Sequence, residues 1–121
     1  MNFNNLDIIV TVSSSGEIKL WDVLTMLNEI KEINLPLTVF INPEIVVLTD
    51  QVQGFWEGCL SIPGLRGFVE RPKKIKVNFL NQKGENAEII AEGFLATVIQ
   101  HELDHLEGIL YLDRVKDSKL I

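Results

Sequence analysis

Apolar and polar positions follow two different rhythms along these 121 residues. Residues 6–12 (LDIIVTV) form a short apolar run rich in β-branched side chains, which predicts a strand, and Ser13-Ser14-Ser15-Gly16 breaks it. Leu20, Val23, Leu24, Leu27 and Ile30 then recur at helical spacing and predict an amphipathic helix to about Ile33. Pro36 ends that stretch. Residues 38–41 and 45–48 read as two strands around an Asn42-Pro43 turn. Ile75, Val77 and Phe79 alternate with polar residues, and 81–84 carries turn residues, so 74–91 predicts a hairpin. The last long element runs from about 93 to 107: Phe94, Leu95, Val98, Ile99, Leu103 and Leu106 keep the helical period, and Gly108 stands where a C-cap belongs. Strands first and a late helix predict an α+β fold, an antiparallel sheet packed against a C-terminal helix. No repeat, low-complexity run or linker divides the chain, which reads as one domain over residues 1–121.

Composition narrows the function classes. Seventeen acidic against eleven basic residues leave a net charge of −6, which argues against a nucleic-acid-binding surface and against attraction to anionic membranes. The single cysteine, Cys59, excludes an intramolecular disulfide framework. No Lys or Arg precedes Lys19 and no apolar run reaches the length of a membrane span, so neither a signal peptide nor a transmembrane helix is expected. These features predict a soluble protein of a reducing compartment: the cytoplasm, an organelle, or the cytoplasm of a virus-infected host.

Candidate chemistry concentrates late in the chain. The only two histidines, His101 and His105, flank Glu102 in H-E-L-D-H. Side chains four apart share one helix face, so both imidazoles can reach one metal ion, and Glu102 projects toward its rim as a candidate base. A catalytic site of this type needs a third protein ligand and an open position for water. The pattern with a third histidine after Gly108 fails, because Tyr111 stands in its place. Glu107, Asp113 and Asp117 follow the helix too closely to curl back. Cys59, in the turn-rich stretch F-W-E-G-C-L-S-I-P-G, is the candidate third ligand; a buried small apolar residue is its plainer reading. Trp56 beside it reads as core.

Two segments together resemble a known family. EGCLS (57–61) and QHELDH (100–105), with Asn42-Pro43, Arg66, Arg71 and Gly84 at fitting positions, are similar to the second and third motifs of peptide deformylases. The similarity covers residues 37–115. It implies a peptide-deformylase-like fold and hydrolytic removal of the formyl group from N-terminal formyl-methionine of nascent polypeptides at the ribosome. The family's glycine-rich first motif is absent: Gly16 is the only glycine before Gly54, and the first glutamine is Gln51. Residues 1–36 therefore diverge from the family.

The resemblance also implies roles. Cys59, His101 and His105 would ligate one divalent ion, Fe(II) or Zn(II) foremost and Ni or Co as alternatives. Glu102 would move the proton, and the backbone N–H of Leu60 would hold the oxyanion. Glu57 and Arg66 would pair to brace the cysteine loop beside Gly58, and Asp104, with Arg71, would orient a ligand; each of these charges could equally be a solvated one. Phe94, Thr97 and Val98 would line a pocket for the methionine side chain, or pack as ordinary core. An extended peptide could add to the strand near Gly58. The absent first motif supplies an oxyanion-binding glutamine in the family, which leaves open a second class: a metal-containing binding module with little or no turnover. A closed structural zinc site is a third possibility.

Overall fold

The computed structural model describes the backbone at residues 8–12 and 18–22, and both backbone and side chains at 38–59 and 62–121. Strand β1 (Ile8–Val12) pairs antiparallel with β2 (Ile18–Asp22) and parallel with β3 (Thr38–Val47). Strand β3 then pairs antiparallel with β6 (Lys74–Leu80), and β6 with β7 (Asn86–Glu92), giving a five-stranded sheet in the order β2-β1-β3-β6-β7. Strands β4 (Val52–Cys59) and β5 (Ile62–Pro72) form a separate antiparallel ribbon. Helix α1 spans Phe94–Asp104 and runs into a 3-10 turn at His105–Glu107, closed by Gly108 in the left-handed conformation at φ 71°. No helix of the described residues is long and apolar enough to cross a membrane.

The hairpin at 74–91 and the late helix fall where the hydrophobic periods put them. Asn81 closes the hairpin turn, its Oδ1 accepting from the N–H groups of Lys83 and Glu85. Two expectations are corrected. The helix expected from Leu20 begins instead as strand β2, because Ile18–Asp22 finds β1 as a ladder partner across a short connection, and pairing outweighs the apolar spacing; the rest of that helix, 23–33, lies outside the described residues. Asn42-Pro43 is no turn between two strands but a bulge within one. Ile41 faces Leu80 and Glu44 faces Asn78, so β3 slips by one residue there, and Asn42 takes the left-handed backbone (φ 49°) that asparagine tolerates.

Helix α1 packs on the sheet through Ala96, Val98, Ile99 and Leu103 against Phe40, Ile75, Val77, Phe79 and Ala91. A smaller core of Cys59, Val69 and Tyr111, with Ile62, Leu112 and Val115, lies under the β4–β5 ribbon. Gly67 makes that second core possible, since a Cβ there would stand 2.7 Å from a Val115 methyl. The cysteine and the histidines sit where these two cores meet.

Candidate metal centre

Strand β4 and helix α1 run side by side in the same direction, and their repeats match. Two strand residues advance about 6.6 Å and four helix residues about 6 Å. At Glu57 and Cys59 the two repeats coincide, so these residues meet His101 and His105, one helical turn apart. Gln53 donates its amide protons to the Gly93 carbonyl and to Thr97 Oγ1. Phe55 meets Phe94 edge to face, with ring centroids 5.2 Å apart. Glu57 accepts from His101, and Cys59 meets His105. The even positions point the other way: Trp56 is 42% exposed and lies against Phe68 rather than in the core expected for it.

At the end of this register three donor atoms converge. One each from Cys59, His101 and His105 lie within 4.8 Å of one another, and Cys59 Sγ is 3.6 Å from His105 Nε2. A tetrahedral ion with bonds of about 2.3 Å to sulfur and about 2.05 Å to nitrogen would hold those two atoms about 3.6 Å apart. The spacing and the donor set, one thiolate and two imidazoles, fit a divalent cation. Asp113 and Asp117 are spent locally: Asp113 accepts from the Leu110 N–H, and Asp117 from the Lys119 N–H.

His101 is held from behind. Its Nδ1–H donates to Glu57 Oε1 at 2.9 Å, which leaves Nε2 as the coordinating nitrogen. Glu57 is fully buried and is clasped by Arg71, Nε to Oε2 at 2.8 Å and Nη2 to Oε1 at 3.0 Å. Arg71 also reaches Asp104 (2.8 Å), which takes two further bonds from Arg114. The sequence paired Glu57 with Arg66. Strand register explains the difference: Glu57 lies opposite Gly67, so Val69 and Arg71 share its face of the ribbon, while Arg66 stands just outside that ladder. The expected Arg71–Asp104 contact is present.

Electrostatics follow from this packing. Burial lowers the His101 pKa, but its hydrogen bonds to Cys59 and Glu57 and the charges of Glu102 and Glu57 more than offset that and hold it at about 9. Burial likewise opposes charge on Arg71, and its bonds to Glu57 and Asp104 raise its pKa above the ordinary arginine value. Glu102, 3% exposed, sits between the two histidines in sequence and is buried like His101, whereas His105 is half-buried. Gly58 is buried on β4. Leu60 lies outside the described residues. Thr97 and Val98 are buried, Val98 within the sheet core, and Phe94 is half-buried beside Phe55. Gln53, Phe55 and Tyr111 were not singled out by sequence for this site; the inward alternation of β4 signals the first two. An open cleft of about 570 Å³ lined by Asn42, Glu44, Asn78 and Glu88 shares no residue with the site.

Comparison with known proteins agrees with this arrangement. The profile of the polypeptide deformylase family matches residues 6–120. The chain belongs to that family. A peptide deformylase of Leptospira biflexa is 50% identical over 86 residues, covering 71% of this chain and 48% of the relative. Among solved structures, the Synechococcus elongatus peptide deformylase in complex with actinonin superimposes with a TM-score of 0.66 at 42% identity, covering 72% of this chain and 48% of that one. The Met-Ala-Ser-bound peptide deformylase of Acinetobacter baumannii gives a TM-score of 0.60 at 45% identity, covering 63% and 48%. This deformylase-family chain thus spans about half the length of the curated relatives it matches.

Proposed function

We propose that this chain hydrolyses the formyl group from N-terminal formyl-methionine of nascent polypeptides, using one divalent ion held by Cys59, His101 and His105. The observation that carries the reading is the convergence of those donors beside a buried Glu102, with His101 already oriented by Glu57. Fe(II) and Zn(II) suit the donor set best, with Ni and Co as alternatives. Such an ion supplies Lewis acidity and a nucleophilic water near neutral pH.

The chain's own groups supply the remaining steps. Glu102 takes a proton from the attacking water and delivers it to the departing amine as the C–N bond breaks and formate leaves. The backbone N–H of Leu60 meets the developing oxyanion. The family's glutamine donor has no counterpart in these 121 residues, and where one oxyanion donor is removed the rate falls about 10²–10³-fold. Of the residues the resemblance gives to the methionine pocket, half-buried Phe94, with Phe55 beside it, remains to meet that side chain, since Thr97 and Val98 are buried, Val98 in the sheet core. An extended peptide would add to the strand near Gly58. Met-Ala-Ser, the ligand of the Acinetobacter relative, is what remains of formyl-Met-Ala-Ser once formate has gone. The work would be done on chains emerging from ribosomes, in a cytoplasm or an organelle where initiation uses formyl-methionine.

The test is formate release from formyl-Met-Ala-Ser by protein loaded with zinc or ferrous iron. The expected result is measurable turnover, abolished by Glu102→Ala at unchanged metal content. Loaded wild-type protein that releases no formate overturns the reading.

A further inference from the structure

Between Glu57–Gly67 and Cys59–Ile62 the register of the β4–β5 ribbon jumps, so that residues 63–66 leave the ladder directly beside the candidate thiolate ligand. Pro63, Gly64 and Leu65 are exposed there, Leu65 at 46%, and Arg66 is half-buried. Backbone outside a ladder opens at low cost unless something else holds it. The C-terminal 3-10 turn Tyr111–Arg114 supplies a hold. Tyr111 is 1% exposed and its hydroxyl donates to the Leu65 carbonyl at 2.8 Å. Its ring lies nearly parallel to the His101 imidazole, 22° between planes with centroids 5.9 Å apart. The turn beneath it is braced by Asp113 on the Leu110 N–H and packs flush on Gly67. A phenylalanine would fill the same core space, so the hydroxyl does something that packing does not require.

Resting on the deformylase reading, we propose that Tyr111 is a positioning residue that ties the rim at 62–66 to the ring backing His101, presenting a pre-ordered edge to the part of the peptide beyond its methionine. That hydrogen bond joins β5, beyond its register jump, to the C-terminal turn whose ring lies against His101.

Tyr111→Phe removes the hydroxyl and keeps the ring. In this variant the amides of residues 62, 64, 65 and 66 should exchange with solvent about fivefold faster, while those of β6 stay unchanged. In cobalt-loaded protein the thiolate-to-metal absorption should also stay unchanged. KM for formyl-Met-Ala-Ser should rise about fivefold with kcat within about twofold, because the rim meets the peptide and not the reacting bond. Unchanged exchange at the rim overturns the proposal. So does faster exchange in β6 as well, which marks a merely structural role, or a kcat that falls with KM unchanged, which puts the effect on the reacting bond rather than on the rim. Wild-type protein that releases no formate overturns the deformylase reading instead, and rim exchange still decides whether the hydroxyl is the tie.

Discussion

His101 and His105 belong to one motif and one helix, yet the protein holds them in different ways. His101 sits in the last turn of α1, buried, with Nδ1 on Glu57 and its ring against Tyr111, and behind Glu57 stand Arg71, Asp104 and Arg114. His105 is less buried and lies at the C-cap, where α1 tightens into a 3-10 turn, facing the Cys59 sulfur. One imidazole is oriented by side chains before any ion arrives. The other is placed at the C-cap of its helix, against the Cys59 sulfur. A two-histidine motif is thus not two equivalent ligands: the buried carboxylate makes the first a fixed post against which the second and the sulfur close.

The largest effect is expected from breaking the fixed post. Glu57→Ala strips the bidentate partner from buried Arg71 and the acceptor from His101, so urea unfolding of the metal-free protein should show a loss of about 3–5 kcal/mol. Zinc affinity in a competition titration should fall by about 10–100-fold. Replacing each histidine in turn sharpens the contrast. His101→Ala leaves a buried Glu57 oxygen without its donor and should cost the metal-free protein about 1–3 kcal/mol, whereas His105→Ala should cost less than about 1. Equal losses would contradict the asymmetry.

The pH dependence should single out His101. Its folded pKa of about 9 lies above the ordinary 6.5, so protonation stabilises the metal-free fold fully below pH 6.5, and that contribution fades as pH rises through about 9. An ion needs the neutral ring, so zinc affinity should climb over the same window, with up to tenfold per pH unit from this one proton. Unfolding and metal titrations at pH 6, 7, 8 and 9 check both signs. The smallest effect belongs to the outer end of the network: Arg114 is largely solvated, and Arg114→Ala should cost no more than about 1 kcal/mol and move zinc affinity less than about threefold.

What was legible in the sequence depended on whether the signal was local. The helix with its H-E-L-D-H and the hairpin at 74–91 announce themselves because their periods lie within one element. Cys59 was findable because two histidines need a third donor and the chain has a single cysteine. Strand β2 was misread because Leu20 fits a helical period as well as a strand, and only the partner β1 decides. Arg71 in place of Arg66 depends on the strand face that β5 presents, which the motif spacing does not reveal. Gln53 and Tyr111 were missed for a related reason: their partners, Gly93, Thr97 and Leu65, are remote in sequence and become neighbours only when β4, α1 and the C-terminal turn are packed.

The three-donor clasp is tested most directly by X-ray absorption at the zinc edge of the loaded protein. One sulfur at about 2.3 Å and two imidazole nitrogens at about 2.0–2.1 Å, with the sulfur lost in Cys59→Ser and one imidazole lost in His105→Ala, are the expected result. A zinc shell without sulfur, or one left intact by both substitutions, would contradict it.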